Sequence, residues 1–341
     1  MKKLFIAIAA LAAMTSCSQD EVMEVAEKQA ISFGNAFIEN ATRAIDPSYT
    51  TKTLKSFKVW GTVQGQNGET NTLVSIFNDT EVKGDVGAGN VWNTVGVTQY
   101  WIPGATYNFA ALVNANVTED DLGTDKLPKT VTFTNTDGAT DLLYAKIAES
   151  ITAAESNNPV EMNFNHMLSK AVVTVSNTTN PDEGSSGYYY KVENVEITTA
   201  HTKGTCTLST TAPVWSGHNG TKTLSFGNIT GETTGETAIE LVDNTEKAAS
   251  YKELLLIPSA SNTDDNVTIQ FDLSLYKDNG DKADDLINYT ADKQVKANVN
   301  FKAGYAYSFN ISLSIGQPIE FSVTSVPGWL PNSGPENVTV K

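Results

Sequence analysis

Leu54-Lys55-Ser56-Phe57-Lys58-Val59-Trp60 is followed by Asn67-Gly68 and then by Leu73-Val74-Ser75-Ile76-Phe77. Apolar and polar residues alternate in the first run, as they do in a half-buried strand. Asn-Gly tolerates the positive φ that a type I′ hairpin turn requires. The stretch therefore reads as a hairpin, and the same grammar continues around it. Tyr107-Asn108-Phe109-Ala110-Ala111-Leu112-Val113, Val131-Thr132-Phe133, Leu142-Leu143-Tyr144-Ala145 and Val160-Glu161-Met162-Asn163-Phe164 are strand-like, as is Ala171-Val172-Val173-Thr174-Val175. So are residues 188–197, 206–208, 223–226, 253–257, 267–275, 295–301, 305–313 and 319–323, with Asp278-Asn279-Gly280-Asp281 as a further hairpin turn. Many short strands, frequent turns and no βαβ rhythm predict an all-β chain of Greek-key sandwiches. A length of 341 residues leaves room for two domains, divided near Asn165, and no internal repeat is clear enough to use.

The N-terminal end carries a different message. Lys2 and Lys3 precede an apolar run from Leu4 to Met14, and Thr15 and Ser16 lead into Cys17. A positive start, a short apolar middle and a small-residue exit describe a secretory signal, here residues 1–16. The run is shorter than the roughly 20 residues that span a bilayer. A thiol directly after it is placed for acylation, so Cys17 is expected to anchor a lipoprotein precursor. An acidic tether follows, then Ile31-Ser32-Phe33 through Phe37, then the polar joint Asn40-Ala41-Thr42-Arg43-Ala44. A basic residue just past a strand is accessible to proteases, which points to cleavage between Arg43 and Ala44. Lys28 is a second basic site, but cutting there would leave the strand in place.

Bulk properties exclude several classes. Thirty-nine acidic against 23 basic residues give a formal net charge of −16. Such a surface repels phosphate backbones, so nucleic acid is not an expected partner. The two cysteines are Cys17 and Cys206; with Cys17 acylated no disulfide forms, and Cys206 reads as a small buried apolar residue. His166, His201 and His218 lack the spacing of a metal site. Residues 278–285 lack the regular acidic spacing and closing Glu of a calcium loop. There is no Gly-X-Ser-X-Gly elbow or phosphate-binding loop. No catalytic residue, cofactor, metal or small-molecule substrate is expected. Trp215 reads as a core or interface residue before it reads as a sugar platform.

Several phrases, in order, resemble the fimbrillin family, the subunits of Bacteroidetes surface pili. They are Ile31-Ser32-Phe33-Gly34 with Thr42-Arg43-Ala44; Tyr100-Trp101-Ile102-Pro103-Gly104 with Tyr107-Asn108-Phe109; and Asp141-Leu142-Leu143-Tyr144-Ala145. Phe164-Asn165-His166-Met167-Leu168-Ser169-Lys170 follows, then Ala303-Gly304-Tyr305-Ala306-Tyr307, and finally Ile319-Glu320-Phe321 with Val326-Pro327-Gly328-Trp329. The resemblance implies two transthyretin-like β-sandwich domains, here 44–165 and 166–341, with residues 17–43 forming a lipidated tether and a removable strand (31–39) that joins the first domain in the precursor. It implies an outer-membrane lipoprotein that a trypsin-like protease cuts after Arg43. A strand from the C-terminal region of another pilin subunit then fills the vacated groove, and a fibre grows that supports adhesion or biofilm formation.

Elementary energetics agree with such a device. On an extended segment Ile31, Phe33 and Phe37 fall on one face. Burying all three is worth roughly 5–9 kcal/mol, comparable to the roughly 5–15 kcal/mol of a whole domain. Losing the strand leaves unpaired edge amides as well, which favours a replacement. Donor and acceptor surfaces differ, so the contact is open-ended. Asn337-Val338-Thr339-Val340 alternates as a donor should, with Ser333-Gly334-Pro335 as its hinge; residues 319–323 are a further element to rearrange, and pairing of the tail within its own domain reads equally well. The expected product is a shaft subunit of the pilus. The competing expectation is a non-polymerising surface lipoprotein that binds glycan or host protein; a surface glycoside hydrolase would need a carboxylate pair that the sequence does not display.

Overall fold

The computed structural model describes residues 29–38, 54–65, 72–84, 91–153, 158–179, 187–230, 237–242, 248–261, 263–280, 283–327 and 336–338, with the backbone alone at 35–38, 91 and 336–338. Among the described residues the fold is almost all β, with a single three-residue 3-10 turn, Glu119–Asp121. The first sheet is built from β1 (Phe33–Ile38), β2 (Ser56–Gln64), β3 (Leu73–Lys83), β4 (Val91–Thr94) and β5 (Thr106–Val113), with β7 (Leu143–Lys146), β8 (Ile151–Thr152) and β9 (Val160–His166). Between β5 and β7 lies β6 (Thr130–Thr134), which belongs elsewhere. The order is β2-β3-β4-β1-β9-β7-β5, and β5 pairs back onto β2, so seven strands close a ring, with β8 added to β5. Closure hides strand edges and encloses a core that includes Phe57, Phe77, Trp92, Phe109 and Phe164.

The remaining chain forms two further sheets. One runs β13 (Ile229–Thr230), β15 (Ala248–Ser250), β10 (Ser169–Asn177), β19 (Tyr305–Leu313), β20 (Glu320–Pro327) and β21 (Glu336–Val338), with β16 (Leu254–Leu256) also on β10. The other runs β12 (Val214–Gly227), β11 (Tyr188–Thr207), β17 (Asp265–Lys277) and β18 (Asp285–Val299), with β14 (Leu241–Val242) and β6 on β11. Val173, Val192, Phe226, Ile269 and Phe309 share the core between them. The strands β11, β12 and β18 run well past the lengths expected from apolar alternation, because they include stretches of mostly polar pairs, as in His201↔Thr221 and Lys203↔Asn219.

A repeat that the sequence does not announce becomes visible in the hydrogen bonds. The Tyr107 hydroxyl accepts from the Ile102 amide at 2.8 Å and lies 3.5 Å from the Tyr100 carbonyl. The Tyr307 hydroxyl accepts from the Lys302 amide at 2.7 Å and donates to the Asn300 carbonyl at 2.7 Å. Trp101 meets Tyr107 edge-on at 4.7 Å, and Phe301 meets Tyr307 edge-on at 4.9 Å. Gly104 and Gly304 turn the chain at φ +78° and +73°. Each is a tyrosine corner, a device of Greek-key sandwiches, with different residues around the shared Gly and Tyr.

The parts are fastened together. β6 leaves the first half and pairs antiparallel with β11, Cys206 opposite Val131. A third core joins Trp60, Leu112, Val131, Phe133, Leu142 and Tyr144 to Met167, Leu168, Cys206, Trp215, Leu255 and Ile257.

Candidate functional site

β1 sits inside the first sheet and not on its rim. It runs antiparallel to β4, with Phe33 opposite Trp92, and parallel to β9, with Phe33 opposite Val160 and Ile38 opposite Phe164. The pairing begins before the strand proper. The Ile31 amide donates to the Gln99 carbonyl at 2.8 Å, and the Trp101 amide donates to the Gln29 carbonyl at 3.0 Å. The Val160 amide donates to the Ser32 carbonyl at 2.9 Å. Backbone groups on both sides of this segment are therefore satisfied by the rest of the ring.

Its side chains fill the ring. Ile31 and Phe33 are buried, Phe33 completely. The Phe33 ring meets Phe57 at 6.0 Å, Phe77 at 6.0 Å and Phe109 at 5.7 Å, all edge-on. Behind them Phe57 packs on Trp92 at 5.5 Å and on Phe164 at 5.3 Å. Two glycines make room for these rings. A Cβ on Gly61 would lie 2.8 Å from ring carbons of both Phe77 and Phe109, and one on Gly84 would lie 2.4 Å from Trp92. A one-residue register irregularity falls between Gly34 and Phe37, so Phe37 pairs with Asn163. Strict alternation therefore does not carry from Phe33 to Phe37, whose side chain lies outside the described residues. The aromatic floor has no local signature in the sequence, although every ring in it occupies an inward position of a strand.

Cys17, Arg43, Ala44, the signal segment and Val340 lie outside the described residues. The backbone of Val338, in β21, pairs with Val323 of β20, so this part of the tail adds to the edge of its own sheet.

The groups set aside on sequence occupy structural positions. His166 Nδ1 lies 2.6 Å from Asp141 Oδ2, both buried. The Met167 amide donates to the Leu142 carbonyl at 2.9 Å, and the Gly304 amide donates to the Leu168 carbonyl at 2.8 Å. Three of the recognisable phrases thus converge where the first sheet meets the rest. Trp215 is buried at this junction and its indole N–H donates to the Met167 carbonyl at 2.9 Å, which removes it as a sugar platform. Cys206 is buried and burial pushes its thiol up to about 12. His201 and His218, remote in sequence, lie 4.5 Å apart ring to ring, with His201 Nε2 3.1 Å from Asp265 Oδ1. Among the described residues no group of three or more His, Cys, Asp or Glu side chains is arranged to hold a metal.

Comparison with known proteins follows the same line. A family model described as fimbrillin-like matches residues 42–329. Among solved structures, a fimbrial protein from Bacteroides vulgatus ATCC 8482 is similar with a TM-score of 0.60 at 14% identity, over 86% of this chain and 98% of its own. A fimbrial assembly protein from Parabacteroides distasonis ATCC 8503 is similar with a TM-score of 0.41 at 12% identity, over 87% of this chain and 95% of its own. No curated protein matches the chain. A match over most of the sequence decides the matter: the chain belongs to the fimbrillin-like family.

Proposed function

We propose that the chain is a shaft subunit of a surface pilus whose polymerisation is unlocked by removal of β1. The precursor is exported as a lipoprotein on Cys17 and cut between Arg43 and Ala44 by a trypsin-like protease. Ile31 and β1, with Phe33, then leave, and a strand from another subunit takes their place between β4 and β9. The mature chain is two transthyretin-like Greek-key sandwiches, 44–165 and 166–341; the paired tyrosine corners support that division.

The observation that carries the reading is the setting of Phe33, which is fully buried among three other phenylalanines on a strand paired along both sides. Burial of Ile31 and Phe33 is worth about 1.5–3 kcal/mol each. Excision therefore opens an apolar slot and two rows of unpaired amides, and an incoming strand satisfies both. Treating purified precursor with a trypsin-like protease should yield Ala44 as the new N terminus and SDS-resistant ladders. Arg43→Ala should abolish both. A product clipped at Ala44 that stays monomeric rejects strand exchange and favours a surface adhesin.

A further inference from the structure

β17 and β18 face their core unequally. The inward positions of β17 stay apolar to its far end, through Ile269, Phe271, Leu273 and Leu275. Their partners on β18 change character partway. Val295 lies opposite Ile269, but Lys293 lies opposite Phe271, Thr290 opposite Leu273 and Asn288 opposite Leu275. A bulge supplies the extra residue between Thr290 and Lys293, with Asp292 at φ +52°, and so returns Lys293 to the inner face. Residues directly opposite in an antiparallel pair share a face of the sheet, so three polar side chains look the same way as the leucines. Leu273 and Leu275 stay partly buried, as do Ile315 and Ile319 in the turn between β19 and β20. The sandwich thus opens at this end into a cleft of about 300 Å³, with an apolar floor and a polar wall.

Charge sets this cleft apart from the rest of the chain. The protein carries a net charge of −16, yet among the described residues lining the cleft none is acidic, and half-buried Lys293 holds the only charge. Among the described residues its ammonium has no carboxylate partner. We propose that the cleft binds a small monocarboxylate with an apolar body. The carboxylate meets Lys293, with the Asn288 amide and the Thr290 hydroxyl beside it, and the hydrocarbon lies over Leu273, Leu275 and Ile315. A volume of about 300 Å³ is at the lower end for ligand sites. It holds about ten non-hydrogen atoms at roughly 30 Å³ for each water-sized group, the size of an eight-carbon acid. Partial removal from water strengthens the attraction between the charges. An inward lysine can also guard an edge strand against pairing; a guard of that kind would not distinguish one small ligand from another. The site stands apart from β1, so it is independent of cleavage after Arg43.

The test titrates octanoate, 1-octanol and octylammonium into the full chain and follows its methyl resonances by NMR. Octanoate should saturate with a Kd at or below about 1 mM, the scale for a ligand of this size, and should move the methyls of Leu273, Leu275 and Ile315. Octanol should bind about 10-fold more weakly for want of the charge-assisted bond, and octylammonium more weakly still. Lys293→Met should bring octanoate down to the level of octanol and leave octanol unchanged, which also reports that the variant is folded. Lys293→Arg should restore the preference. Octanoate that never saturates overturns the proposal. So does octanol binding the wild-type chain as tightly as octanoate, a comparison that needs no variant, or octanoate binding Lys293→Met as it binds wild type.

Discussion

Tyr107 and Tyr307 hold equivalent corners in the two halves, each hydroxyl satisfying an amide five residues upstream. Replacing either by Phe keeps the ring and strands the Ile102 or Lys302 N–H. Both bonds are part-buried and a hydrogen bond of this kind contributes about 0.5–1.5 kcal/mol, so Tyr107→Phe and Tyr307→Phe should each lower stability by that amount in urea titrations. A shift below about 0.3 kcal/mol for both would show that solvent rescues the amide. The hydroxyl at Tyr107 is held above its ordinary range, burial being the main cause and the Ile102 bond opposing it. Neither corner is legible in the sequence as a repeat, because Trp101-Ile102-Pro103-Gly104 and Phe301-Lys302-Ala303-Gly304 share only an aromatic start and a glycine. What they share is geometry: an edge-on aromatic pair, a positive-φ glycine and a bond back across the bend. At this scale the sequence does disclose Ile31 and Phe33 as a buried pair, since alternation needs no distant partner to be recognised. The pocket of Phe57, Phe77 and Phe109 that receives them is assembled from three strands, and Gly61 matters only once two rings are known to meet over it.

Strands reveal themselves in sequence as long as they cover a core, and stop doing so where they leave it. β11 and β12 continue as a hairpin through His201↔Thr221 and Lys203↔Asn219, where the ladder holds without an apolar face before Cys206↔Trp215 returns it to a core. β18 is exposed through its first eight residues for the same reason. β6 reads correctly as a strand, but its partner is β11, from the other half, and pairings between distant segments leave no local trace. The outer hairpin is also where a pH effect belongs. Burial works to raise the Asp265 carboxyl, but hydrogen bonds from His201 and Ser259, with the nearby charges of His201 and His218, outweigh it and hold the group below its ordinary 3.8. A depressed folded-state value stabilises the protein above the unfolded value and ceases to do so as pH falls through the folded one. Asp265 should therefore contribute fully above about pH 5 and lose its contribution progressively below pH 3.8. Urea midpoints measured between pH 6 and pH 2.5 should fall less steeply for Asp265→Asn than for wild type; parallel curves would assign acid sensitivity to other carboxylates.

The molecule as a whole is one fastened body among its described parts. β6 on β11 and the shared core around Trp60, Tyr144, Met167 and Trp215 tie the ring to the other two sheets. Wild-type precursor should accordingly unfold in one calorimetric transition. Trp215→Ala empties the middle of that junction and removes the bond to the Met167 carbonyl, at a cost of about 3–5 kcal/mol, and should split the trace into two; a single, merely lowered peak would mean that β6 suffices as a clasp. A net charge of −16 keeps such bodies apart in solution, so any joining must come from a specific fit. That fit has a compass. β1 lies alongside β9 and against β4, and a substitute making the same bonds must thread the ring from one end and never the other. Molecules linked in this way all face one direction, and a fibre made from them has a growing tip chemically unlike its root.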